Sequence, residues 1–108
     1  MTPNDAEYFK ACHSAGLVKG RMLEVGSAKV QGIANLCDIA RELGVPEVTG
    51  VDLTSYDGVD VIFDFGVEQE EFRDKWDLGA FSTVCVFNVL EHTFDPITIL
   101  STLLVVTP

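Results

Sequence analysis

An α/β sandwich with a doubly wound parallel sheet is the fold class that the sequence predicts, and three observations predict it. Short apolar runs rich in β-branched and aromatic residues alternate with stretches of helical periodicity along the chain. Glycine, proline, asparagine and aspartate mark the borders between them. Strands and helices that alternate in this way assemble as parallel βαβ units with right-handed crossovers. The 108 residues suffice for one small domain. No repeat, low-complexity tract or linker divides residues 1–108 further.

Asn4 or Asp5 is placed to cap a first helix over about residues 5–15, with Tyr8, Phe9 and Cys12 along one side and Gly16 at its C-cap. Arg21–Val25 reads as a short strand. Residues 31–43 carry Ile33, Leu36, Ile39, Ala40 and Leu43 at helical spacing, with Gly44 and Pro46 just beyond. Glu47–Asp52 is a second strand, Asp57–Gly58 a turn and Val59–Phe63 a third strand. The acidic stretch Glu68–Asp77 reads as one short helix with Phe72 and Trp76 turned inward. Phe81–Phe87, the most apolar run, suits a strand buried on both faces. Asp95 and Pro96 supply an N-cap and an N1 proline for a last helix.

Composition excludes several function classes. An apolar fraction of 47% predicts a packed core rather than a disordered tail. Seventeen acidic against seven basic side chains give a net charge of −10, a field that repels nucleic acids and anionic membranes. Cys12, Cys37 and Cys85 show no metal-ligand spacing and cannot form a closed disulfide set, so they read as buried thiols in a reducing compartment. The N-terminus is polar and acidic, unlike a signal peptide, and no apolar run is long enough to span a membrane. A cytoplasmic location is expected.

Ligands of open parallel sheets bind beyond the carboxyl ends of the strands, near the switch point in strand order. Here those ends carry Glu24-Val25-Gly26-Ser27, Val51-Asp52-Leu53, Asp64-Phe65 and Asn88-Val89-Leu90-Glu91-His92. A nucleoside ligand would give each a task. Gly26 admits close backbone approach, and Gly32 relaxes the turn into the helix. Asp52, an acceptor-only carboxylate, suits a ribose diol. Asp64 accepts from an adenine amino group, Leu53 or Phe65 lies on the base, and Glu24 holds an ammonium. His13 reads as structural or solvated, and Trp76 as core.

Leu23-Glu24-Val25-Gly26-Ser27 with Gly32, then Val51-Asp52-Leu53, Val59–Asp64, and Asn88–His92 with Asp95-Pro96 resemble a class I S-adenosylmethionine-dependent methyltransferase over residues 20–100. The nearest pattern is the group with E-V-G-S in the first motif and L-E-H-x-x-D-P in the fourth. The resemblance implies a Rossmann-like sheet ordered 3-2-1-4-5-7-6, of which this chain supplies the first four strands. It implies S-adenosylmethionine as cofactor, with Gly26 and Ser27 at its methionine end and Glu24 beneath. It further implies Asp52 on the ribose, Leu53 beside adenine, Asp64 and Phe65 at the base edge, and Asn88 beside the methionine portion. Glu91 and His92 would face a small-molecule acceptor, with His92 as the candidate general base. Ala28 and Val30 depart from the commoner glycine-rich first motif. No metal is implied.

Two alternatives stand beside methyl transfer. A noncatalytic nucleoside-binding or interaction module of the same fold is one. An NAD-dependent oxidoreductase is the other, but it needs G-x-G-x-x-G where Gly26–Gln31 stands. With strands missing after the fourth, the chain is expected to be incomplete and to self-associate through that strand.

Overall fold

A computed structural model of the chain describes residues 2–66, 76, 81–87, 89 and 95–106. Strands β1 (Arg21–Val25), β2 (Glu47–Asp52), β3 (Val61–Ile62) and β4 (Thr83–Val86) form one sheet in the order β3-β2-β1-β4, every neighbour parallel. The chain steps outward from β1 to β2 and β3, then returns across the sheet to β4. That reversal sets the switch point between β1 and β4. The register pairs Val25 with both Val51 and Val86, and Val51 with Val61, so the carboxyl ends sit at one level.

Side chains of a strand alternate between faces, and helices cover both. Leu23, Val25 and Val51 turn to one face, where Phe65, Trp76, Phe81 and α3 (Pro96–Val106) close a core through Ile99, Leu103 and Val106. Met22 and Cys85 turn to the other, against Phe9 of α1 (Pro3–Ser14) and Leu36, Ile39 and Ala40 of α2 (Leu36–Glu42). Burying side chains such as Met22, Leu23 and Leu36 stabilises the sheet by about 1.5–3 kcal/mol each. The doubly wound α/β fold is the one that the alternation of elements predicts.

Several borders differ from expectation for identifiable reasons. α1 begins at Pro3 because Thr2 is its cap: Asp5 N–H donates to Thr2 Oγ1, and Thr2 N–H donates to Asp5 Oδ2 in return. α2 begins at Leu36, five residues later than the periodicity indicates. Gln31 and Gly32 take φ of 52° and 74°, which no helix tolerates, and Asn35 then caps the helix through Asp38 N–H. Ile33, read as part of the helical face, is exposed. β3 and β4 are shorter than the apolar runs that hold them.

The strand buried most deeply is β1, while β4, the more apolar run, lies at the edge of the sheet among the described residues. Asp95 caps α3 as its spacing predicts: its carboxylate accepts the Thr98 hydroxyl and Thr98 N–H, which together hold it below the usual aspartate range. The expected helix at 68–77 lies outside the described residues except for Trp76, which is buried among Phe63, Phe65 and Phe81. Cys37 and Cys85 are buried, and burial pushes the Cys85 thiol up to about 12 and that of Cys37 higher still. Cys12 is half-buried. Among the described residues no helix is long and apolar enough to cross a membrane.

Candidate functional site

A crevice of about 410 Å³ opens at the carboxyl ends of β1, β2 and β3, within the size range of small-molecule sites. Gly26, Asp52, Leu53, Asp64 and Phe65 all line it, although the sequence separates them by up to 39 positions (65 − 26). Phe63, Phe87, Val30 and Val89 complete much of its wall, and these the sequence reading did not single out as site residues. Its walls are apolar apart from two charged groups among the described residues, the carboxylates of Asp52 and Asp64.

Asp52 stands at the end of β2 with one oxygen turned to the loop after β1. Its Oδ2 accepts Ala28 N–H at 3.0 Å, and its Oδ1 accepts Leu53 N–H at 2.8 Å. Each oxygen keeps a further lone pair for a ligand hydroxyl. Asp64 is exposed, and its Oδ1 caps a turn by accepting Gly66 N–H at 2.8 Å. Leu53 stands at the mouth, 62% exposed, whereas Phe65 is 3% exposed and packs its ring against Phe63 and Trp76.

The loop after β1 is shaped from within the protein. Gly26 takes φ 83°, and a Cβ there would come within 2.6 Å of a methyl of Val89, so its glycine serves the turn and the approach of Val89. Ser27 lies in the same loop but is fully buried. Its hydroxyl faces Gly50 of β2 and has no hydrogen-bond partner among the described residues, so its side chain offers nothing to the crevice. Gly26 and Ser27 both donate their N–H to Val51 O, at 2.8 and 3.1 Å.

Asn35, which the sequence reading passed over, locks this loop. Its Oδ1 caps α2, while its Nδ2 donates to Ser27 O at 2.8 Å and to Gly58 O at 3.2 Å. The Asn35-x-x-Asp38 spacing, an N-cap signature, is the signal that would have found it. Asp60 ties the next loop by accepting Gly50 N–H at 2.7 Å. Lys29 and Arg41 flank Asp38, at 2.9 and 3.7 Å, and Arg41 reaches on to Asp60 at 3.6 Å. The Asp38 carboxylate holds the Lys29 ammonium above its ordinary value.

Glu24 leaves β1 on the face opposite Leu23 and Val25 and lines a smaller recess of about 40 Å³ beside the crevice, with Gly26, Ala28, Val30 and Phe87 common to both. Its Oε1 accepts Cys37 N–H from the first turn of α2 at 3.0 Å. Burial pushes the carboxyl above the usual glutamate range, and the N–H groups of Cys37 and Leu36 offset only part of that. The sign follows. The folded chain keeps the Glu24 proton at pH values where the unfolded chain has released it, so stability falls as pH rises from the ordinary glutamate range through the raised one. Glu24→Gln is expected to remove that slope while preserving one acceptor for α2, read as urea midpoints from about pH 4 to about pH 8. An unchanged slope in the variant would assign the effect elsewhere.

Asn88, His92 and Glu91 lie outside the described residues. Among the described residues no group of three or more His, Cys, Asp or Glu side chains is placed to hold a metal ion. Comparison of the chain with protein-family models, with curated proteins and with solved structures finds no match in any of the three.

Proposed function

We propose that the crevice binds S-adenosylmethionine and that the chain belongs to a methyl-transfer system acting on a small-molecule acceptor. The observation that supports this most is the electrostatic character of the walls: aromatic and aliphatic surface with Asp52 and Asp64 as its charged groups among the described residues. A cationic nucleoside suits such a site, because carboxylates accept its hydroxyl and amino donors and aromatic rings attract a positive centre. A dinucleotide would bring a pyrophosphate against two carboxylates, and the cation that lines the adjoining recess, Lys29, is already paired with Asp38 at 2.9 Å. This separates the reading from an oxidoreductase on grounds independent of the missing glycine motif.

In this reading Asp52 grips the ribose diol, Asp64 takes the amino edge of the purine, and Leu53 covers the base at the mouth. The recess above Glu24 receives the amino-acid end. The cofactor, when bound, supplies a methyl group already activated as a sulfonium. The protein's own task is then alignment and exclusion of water rather than bond activation. Asn88 beside the methionine portion and His92 as a general base remain part of the proposal. So does a cytoplasmic location, which the three free thiols support.

Isothermal calorimetry of the chain with S-adenosylmethionine, S-adenosylhomocysteine and NAD tests the reading. Heat with both sulfur nucleosides and none with NAD is expected. Binding of NAD alone overturns it, and silence toward all three favours an interaction module without a nucleoside site.

A further inference from the structure

The crevice and the recess beside it meet at one place: Gly26, Ala28, Val30 and Phe87 line both. On the reading of the site proposed above, the nucleoside fills the crevice and the amino-acid end enters the recess. The sulfonium is bonded to the terminal carbon of the sugar on one side and to the amino-acid chain on the other, so it falls at that junction. Gly26, Ala28 and Val30 offer it backbone and aliphatic surface. Of the four, only Phe87 offers a π face, whose quadrupole is negative.

The other groups of the site lie elsewhere. Asp52 ends β2, Asp64 follows β3, and Glu24 belongs to the recess, so the carboxylates are placed for the sugar, the base and the ammonium rather than for the sulfur. Phe63 and Phe65 line the crevice from the β3 side, where their rings pack against each other and against Trp76. Phe87 instead follows β4 and stands beside β1, at the switch point of the sheet. It is half-buried, and Tyr8 of α1 lies against it with ring centroids 5.9 Å apart and planes at 49°. The cluster of Phe9, Met22, Leu36 and Cys85 packs against it as well. A ring braced from α1 and from the sheet is already oriented, so a ligand meets it without an ordering cost.

We infer that Phe87 sets the charge preference of the site, its ring meeting the sulfonium and favouring the methyl donor over the neutral thioether left after transfer. The two ligands differ by one methyl group and one positive charge. A cation against an aromatic face gains most where water is excluded, as it is between two joined cavities.

Calorimetry of the intact chain with S-adenosylmethionine and with S-adenosylhomocysteine tests this. Phe87→Leu keeps apolar bulk and removes the π face. It is expected to weaken S-adenosylmethionine by about tenfold and S-adenosylhomocysteine by less than about twofold. A ring-fluorinated phenylalanine at residue 87 keeps the shape and drains the face of its negative charge, so it should reproduce most of that loss, whereas Phe87→Tyr should keep the ratio of the unaltered chain. The ratio is the readout, because a merely structural role moves both ligands together. Equal weakening of the two, or a ratio that neither leucine nor the fluorinated ring changes, overturns the inference and leaves the nucleoside site standing. Failure of the unaltered chain to bind either ligand overturns the reading of the site, and the inference with it.

Discussion

Gly58→Ala is expected to lower the unfolding free energy by about 3 kcal/mol, the sum of a backbone cost and a packing cost. Gly58 takes φ 88°, where an L-residue pays about 1–2 kcal/mol. A Cβ there would also lie 2.7 Å from Ser27 O, 2.8 Å from Asn35 Nδ2 and 2.8 Å from Lys29 Cγ. Two of those neighbours form the bond by which Asn35 locks the loop after β1, so they cannot yield without opening it. Overpacking of this kind adds about 1–3 kcal/mol. The chain supplies its own control. Gly44 has nearly the same φ, 87°, with nothing within 4 Å of a built Cβ. Gly44→Ala should therefore cost only the backbone share. Urea denaturation of the two variants separates the contributions, with midpoints shifted and slopes unchanged. Equal losses would show that crowding around Gly58 is not what fixes that turn.

Those glycines also show how far the sequence could be read. β1 and β2 are found where the sequence places them, β1 as a short strand buried at Met22–Val25 and β2, only partly buried, by its position before the Asp57–Gly58 turn. Gly16, Gly44 and Gly58 follow from turn chemistry and duly take positive φ. The start of α2 was not legible from periodicity, because Ile33 falls in phase with the helical face while Gln31 and Gly32 forbid the helix there. Capping chemistry at Asn35 decides that border. The convergence of Gly26, Asp52 and Asp64 was legible, because it follows from the rule for strand ends rather than from any one residue. The orientation of Ser27 was not. Neighbours in sequence give no sign that a hydroxyl in a loop faces Gly50 across the sheet instead of the crevice. The run at residues 81–87 suits burial on both faces, yet β4 is only partly buried, and its place beyond β1 among the four described strands is the one expected of a fourth strand.

The largest effect on binding is expected at Asp52. A carboxylate accepting both hydroxyls of a ribose makes two charge-assisted hydrogen bonds, each contributing about 1.5–3 kcal/mol. Asp52→Ala should therefore weaken the binding of S-adenosylhomocysteine by more than about a hundredfold. The same change also frees Ala28 N–H and Leu53 N–H, so lost affinity alone would not distinguish a ligand contact from a slackened loop. Asp52→Asn resolves this. Its remaining carbonyl oxygen still accepts Ala28 N–H, while the amide, which gives up the weaker local bond from Leu53 N–H, carries no charge and keeps only one acceptor, so it cannot make two charge-assisted bonds to the diol. If Asp52 holds the diol, the asparagine variant loses nearly as much affinity as the alanine variant while keeping most of its thermal stability. If it only ties the loop, asparagine restores binding. Asp64 provides the contrast, because its exposed carboxylate already spends one oxygen on Gly66 N–H. Asp64→Asn should cost about tenfold or less, since a single hydrogen bond in contact with water contributes about 1 kcal/mol. A reversal of that order would move the sugar from β2 to the far side of the crevice and undo the assignment of both residues.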